Sequence, residues 1–180
     1  LWDHGGGSVT GICFDERENY DSLSLAELDE ALYTYYGQRG RRFDFIGFDA
    51  CLMGTVETAN ILATYADYMY GSEETEPGSG WDYTAIGDFL ASNPDADGLM
   101  LGKVVCDSFL AACKAQNDDT LTTLSVIDLG NIDTLLNAFN IFASGMYNVS
   151  SNTAVRAEII RAIEQADNFG GNNKSEGYTN

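Results

Sequence analysis

Basic residues are scarce in this 180-residue chain: 9 Lys and Arg stand against 28 Asp and Glu, a formal charge of −19. That balance argues against nucleic acid or an anionic membrane surface as partner and favours cationic ligands or calcium. Histidine is scarcer still. His4 is the only one, which removes any metal site built on several imidazoles. No apolar run approaches the ~20 residues of a membrane span, and no signal peptide is present. The cysteines, Cys13, Cys51, Cys106 and Cys113, lack both the paired spacing of a zinc site and the density of a disulfide scaffold. Cys106 and Cys113 read as two turns apart on one helix, ~10 Å, beyond the ~7 Å that a disulfide bridges. Both are expected to be core thiols. Low-complexity tracts and repeats are also absent, and 44% hydrophobic residues is ordinary for a folded domain. A chain this long buries roughly 70% of its unfolded surface and needs no staples. It opens at Leu1 in what reads as the end of a strand and stops at Asn180, so it reads as part of a longer protein.

Organisation centres on residues 43–54, FDFIGFDACLMG. Phe43, Phe45, Ile46 and Phe48 make a run suited to a buried strand, and Met53, Val56 and Ala59 recur at helical spacing. Cys51 is therefore expected at a strand-to-helix turn, where unpaired N–H groups and the helix dipole favour thiolate. Upstream, Leu1 and Trp2 read as a strand end, followed by Asp3, His4 and three glycines that let backbone approach a ligand closely. Residues 8–22 lack a period and read as a long exposed loop. Ser24 and Glu27 form a capping box with Leu23 and Leu28 as its staple, opening a helix to about Tyr36 that Gly37 and Gly40 end.

Downstream, residues 65–72 read as a strand that opens into EETEPGSGWDY. Pro77, Gly78 and Gly80 forbid a helix there. Helices are predicted over residues 83–91 and 99–116, a strand over 120–129, and two further helices from the stripes Ile132, Leu135, Leu136, Phe139, Phe142, Met146 and Val155, Ile159, Ala162, Ile163, Ala166. Alternating strands and helices imply an α/β layer structure with parallel strands, which binds ligands at the strands' carboxyl ends. Three loops fall there, carrying His4, Cys51, and the acidic residues from Glu73 to Asp82.

A cysteine peptidase needs a thiolate, an imidazole to protonate the leaving amine, and backbone donors for the oxyanion. Cys51 and His4 could supply the first two, with Gly5 N–H and Cys51 N–H as the donors. The plain alternatives are a buried apolar thiol and a structural histidine.

LWDHGGG, followed by FDFIGFDACLMG and then SEETEPGSGWDY, is similar to the clostripain family of cysteine peptidases, relatives of caspases, legumains and gingipains. The likeness runs to about Leu129. It implies a caspase-like α/β fold, a three-layer αβα sandwich with a mostly parallel sheet. Residues 1–180 would then be part of a single peptidase domain, truncated at both ends, its N-terminal strands and C-terminal part missing. The family's catalytic histidine falls on His4 and its nucleophile on Cys51. Members cleave after arginine or lysine, and the acidic residue of DAC, here Asp49, is associated with the basic-residue pocket. The resemblance also implies export from a bacterial cell, hence a secreted or cell-surface address.

A guanidinium calls for a carboxylate in bidentate geometry, and Asp49 lies two residues from the sulfur. Its alternative is a cap on the helix carrying Cys51. Asp82 is the second pocket candidate, with Trp81 as a wall; Glu74 and Glu76 are weaker candidates, each expected to be solvated sooner than in the pocket. Related peptidases cut themselves between histidine and cysteine, and the loop after HGGG holds one basic residue, Arg17. Self-cleavage after Arg17 stands against a solvated surface arginine, with Arg39, Arg41 and Arg42 as rival sites. Calcium is a family-associated ligand, yet no D-x-D-x-D-G loop is present, Asp95, Asp97 and Gly98 being too sparse.

The expected function is thus a cysteine endopeptidase acting after Arg or Lys on protein or peptide substrates, needing no cofactor for its chemistry, with no nucleic-acid partner. A non-catalytic surface or binding domain that kept the fold, and a cysteine acyltransferase, are the alternatives.

Overall fold

A computed structural model describes residues 1–117, 122–166 and 169–170. The central sheet has the order β3 (Phe43–Gly47), β4 (Ala66–Gly71), β5 (Ser125–Asp128). β3 and β4 are parallel and β5 is antiparallel to β4, so these three strands form a mixed sheet. Beyond β3, Trp2 bridges Asp49 in parallel. The Asp49 N–H donates to Leu1 O at 2.9 Å and the Asp3 N–H to Asp49 O at 3.3 Å. This pairing extends the sheet on the side of His4.

Helices cover both faces. On one, α2 (Leu25–Arg39) and α3 (Val56–Leu62) pack with Phe48, Met53, Met69 and Leu129 into the larger core. On the other, α4 (Tyr83–Ser92) and α5 (Gly98–Ala115) enclose Tyr70, Trp81, Val105, Phe109 and Cys113. Gly98 and Gly102 lie on the sheet side of α5, where a Cβ on Gly102 would come within 2.7 Å of the Tyr70 ring. Small residues there set the helix directly on the strands. Asp97 caps α5 by accepting from the Met100 N–H. The predicted capping box of α2 is present, Ser24 accepting from Glu27 N–H and the Glu27 carboxylate accepting from Ser24 N–H.

Several expectations change. Residues 8–22 are structured rather than a long exposed loop: α1 (Gly7–Thr10) is followed by the hairpin β1 (Ile12–Asp15) and β2 (Asp21–Leu23). Ile12 is fully buried in the larger core and anchors the hairpin there. α2 continues through Gly37 to Arg39, and Gly40, at φ 61°, ends it in the left-handed region that glycine tolerates. Phe45 is half-exposed rather than buried, its ring stacked on Tyr70 at 4.7 Å. Cys113 is buried as expected, but Cys106 only partly so.

The last strand begins at Ser125; positions 120 and 121 of its predicted span lie outside the described residues, as do residues 171–180. Both final helices form, α6 (Ile132–Val149) and α7 (Thr153–Gln165). Their apolar stripes are not buried as a core would require. In α6 only Ile132 is buried, and in α7 no residue is. No helix among the described residues is long and apolar enough to cross a membrane.

Candidate active site

The register between Trp2 and Asp49 fixes the site. Two residues beyond Trp2 comes His4, and two beyond Asp49 comes Cys51. Parallel neighbours lie ~4.8 Å apart, so both side chains emerge at one sheet edge. His4, Asp49, Cys51 and Glu76 line a single cavity of about 350 Å³. Gly5 follows His4 in an antiparallel bridge to Ile12. The hydrogen bonds flanking that bridge run from Cys13 N–H to His4 O and from Gly6 N–H to Gly11 O, which leaves the Gly5 N–H outside the ladder. The Gly5 backbone presses so closely on the turn of Cys51 that a Cβ would lie 2.1 Å from the Cys51 carbonyl oxygen.

Cys51 does not begin a helix. Its turn passes through Leu52 at φ 64°, a left-handed conformation that costs a leucine ~1 kcal/mol or more. The turn is held by Leu52 N–H donating to Glu74 O at 3.1 Å and by burial of the Leu52 side chain. α3 starts five residues after Cys51, capped by Thr55, whose side chain accepts from Thr58 N–H. The expected helix-dipole activation is therefore absent.

The thiol instead lies under the next loop. Glu76 N–H donates to Cys51 Sγ at 3.2 Å, and Sγ stands 3.9 Å from Glu76 O. Burial pushes the Cys51 thiol up; the Glu76 N–H pulls the other way, and the Glu76 and Glu74 charges add to the rise. Burial therefore favours the thiol form, where a helix N-terminus would have favoured the thiolate.

Nor does Asp49 cap a helix. Its Oδ2 accepts from Trp81 N–H at 3.1 Å and from the Tyr83 hydroxyl at 2.8 Å, and the residue is buried. Asp82, the second pocket candidate, is spent elsewhere: it caps α4 by accepting from Ala85 N–H at 3.0 Å. Trp81 is buried behind the cavity rather than forming its wall, its indole N–H donating to Glu76 Oε2 at 3.1 Å. Neither Glu74 nor Glu76 is freely solvated, Glu76 being half-buried on the cavity. Glu74 is buried and its Oε1 accepts from Thr75 N–H and Gly170 N–H, each at 2.8 Å.

Glu76 is the residue that sequence reasoning undervalued. Its Oε1 is buried without a hydrogen-bond donor. Burial foremost, then the neighbouring Asp49, raises its carboxyl to about 9. The one local signal was Trp81, five residues on, whose indole N–H needs an acceptor when buried.

Arg17 is exposed in the turn joining β1 to β2, its N–H donating to Asp15 Oδ1 at 2.9 Å. Of the rivals, Arg42 is tied down: it pairs with Asp67 at 2.9 Å and donates to the carbonyls of Ala63, Thr64 and Ala66. Among the described residues no group of three or more His, Cys, Asp or Glu is placed to hold a metal ion.

A sheet covered by helices on both faces, with a cysteine and a histidine lining one cavity where its parallel strands end, has the caspase-like α/β architecture. The sequence profile of the clostripain family, peptidase C11, matches residues 1–176, and the chain belongs to that family. Among solved structures it resembles a secreted C11 cysteine protease from Bacteroides thetaiotaomicron in complex with an irreversible peptide inhibitor. That pair shares 24% identity at a TM-score of 0.60, over 76% of this chain and 40% of the other. A clostripain from the same organism, in complex with the peptide inhibitor BTN-VLTK-AOMK, is 23% identical at a TM-score of 0.55, over 69% and 50%. An inactive zymogen C11 protease from Parabacteroides distasonis is 25% identical at a TM-score of 0.52, over 75% and 34%. The chain thus spans half or less of the length of these structures. No curated protein matches it.

Proposed function

We propose that this chain carries the catalytic centre of a secreted cysteine endopeptidase that cleaves after arginine or lysine. The observation that carries the reading is the convergence of His4 and Cys51 on one cavity at the ends of paired parallel strands. In the mechanism, Cys51 passes its proton to His4 and attacks the carbonyl carbon. Gly5 N–H and Cys51 N–H receive the oxyanion, and His4 then protonates the departing amine. Water hydrolyses the thioester. Asp49 holds the substrate's cation, fixed in place by Trp81 and Tyr83.

Peptide-inhibitor complexes of the Bacteroides thetaiotaomicron relatives support peptide substrates, and the description of one relative as secreted supports export. The Parabacteroides distasonis zymogen supports activation by cleavage, which we place after Arg17. A cut there falls at a hairpin tip and leaves β1 and β2 paired, whereas Arg42 is locked by its partners.

The test is cleavage of a peptide library by full-length protein. Wild type should cut after Arg or Lys, Cys51→Ala should be inert, and Asp49→Asn should lose the basic preference while its thiol still reacts with an alkylating agent. Basic preference unchanged in Asp49→Asn refutes the pocket assignment. For Arg17, wild type and Cys51→Ala running as one band of intact mass after long incubation would refute self-cleavage.

A further inference from the structure

The acceptors at the base of the cavity are unevenly engaged. Both donors from α4 and its approach, Trp81 N–H and the Tyr83 hydroxyl, go to Asp49 Oδ2. Glu76 Oε2 takes the Trp81 indole N–H, and Glu76 Oε1 has no donor. Asp49 alone therefore cannot offer a guanidinium two unengaged oxygens. Glu76 can complete the set, and its side chain lies within hydrogen-bonding reach of Asp49.

Two carboxylates in contact and shielded from water cannot both stay charged without a cation. A proton on Glu76 settles both problems at once: the carboxyl donates to Asp49, and the pair carries a single negative charge. The other ionisable groups around Glu76 are Cys51 beneath its backbone, Tyr83 at the start of α4 and Cys106 on α5, with Asp3 and His4 across the cavity. Among the described residues none of the groups packed against its carboxyl is a lysine or arginine; the indole N–H is its one side-chain donor, with the Ala50 backbone N–H also acting on it.

We propose that Asp49 and Glu76 form one proton-linked receptor for the substrate's cationic side chain: a proton bridges the two carboxyls in the empty pocket and leaves when the cation enters. This deepens the basic-residue reading above and rests on it. Glu76 is then a specificity residue, and substrate binding releases a proton. The linkage has a defined sign. Because the empty-pocket carboxyl titrates near 9, release is complete at neutral pH and fades as the pH rises through that value, where the proton is already gone. Below about pH 9 protons compete with the cation, so binding weakens progressively as the pH falls.

The experiment is titration calorimetry on full-length Cys51→Ala protein, with an acetylated peptide amide carrying arginine at the cleaved position, in buffers of differing ionisation enthalpy. A citrulline peptide is the uncharged control. The expected result is release of about one proton per arginine peptide near pH 7 and close to none above about pH 10. In a Glu76→Gln background the peptide should still bind, more weakly, with no buffer-dependent heat. Binding of the arginine peptide without proton release overturns the proposal and leaves the basic pocket standing. Equal binding of arginine and citrulline peptides, or binding of neither, overturns the pocket reading itself. Circular dichroism of Glu76→Gln separates lost linkage from lost fold, and Glu76→Asp, which keeps the acid, should retain part of the release.

Discussion

Gly5 offers the sharpest test of the catalytic geometry. A methyl group at this position would sit 2.1 Å from the Cys51 carbonyl oxygen and 3.1 Å from both its carbonyl carbon and Met53 Cγ. The first obstacle is backbone, and real Cβ atoms keep at least 3.0 Å from such neighbours, so the two turns must part by roughly 1 Å. A displacement of that size at a reacting centre costs ~10²-fold in rate, or about 2.7 kcal/mol of transition-state stabilisation. Gly5→Ala should therefore lower kcat/KM by about two orders of magnitude. Gly6→Ala is the matched control. Its Cβ meets chiefly Thr10 Oγ1, at 1.9 Å, the end of a side chain that can rotate, so the loss should stay below ~10-fold. The assay is steady-state hydrolysis of an arginyl peptide by full-length protein, with melting followed in parallel. Wild-type kcat/KM in Gly5→Ala at unchanged Tm would refute the proposed apposition of the His4 turn and Cys51.

Alkylation of Cys51 by iodoacetamide, without substrate, should accelerate with pH to a midpoint above the ordinary thiol value near 8.5, because burial favours the neutral form; a midpoint near 6 would mean the resting site already holds a thiolate. Asp82→Ala should cost ~1 kcal/mol through loss of the α4 cap and leave cleavage preference untouched, measured by denaturant melts and a peptide library; altered preference would return Asp82 to the pocket. Phe109→Ala should destabilise by ~3–5 kcal/mol, since the ring is almost fully buried between α5 and the sheet, and a Tm change under 2 °C would contradict that packing.

Local signals carried most of the scaffold. The capping box at Ser24 and Glu27, and the apolar spacing of α4 and α5, act within a few residues and matched the observed elements closely. The hairpin after HGGG was hidden because Ile12 is the one fully buried residue of its strands, with Cys13 and Leu23 only partly buried against the core, so no alternating pattern marks it. Asp49 was ambiguous for a similar reason. Whether it caps a helix depends on where the next helix begins, and Thr55 took that task. Glu76 was misjudged because a Pro/Gly-rich acidic stretch reads as solvated, while its burial comes from Asp49 and Trp81 folding over it. Such contacts have no period. The stripe of Phe139 and Phe142 marked helix α6 correctly, though both rings stand exposed.

The chain's two tryptophans sit in opposite settings. Trp2 is 75% exposed, whereas Trp81 is 9% exposed and bonded to Glu76. Iodide or acrylamide will quench the first and spare the second. The remaining emission then comes from an indole hydrogen-bonded to a carboxyl group at the cavity floor. Any ligand that changes the charge on that carboxyl should shift its wavelength, so the protein carries its own optical reporter of pocket occupancy, readable by stopped flow without labels or a turnover assay.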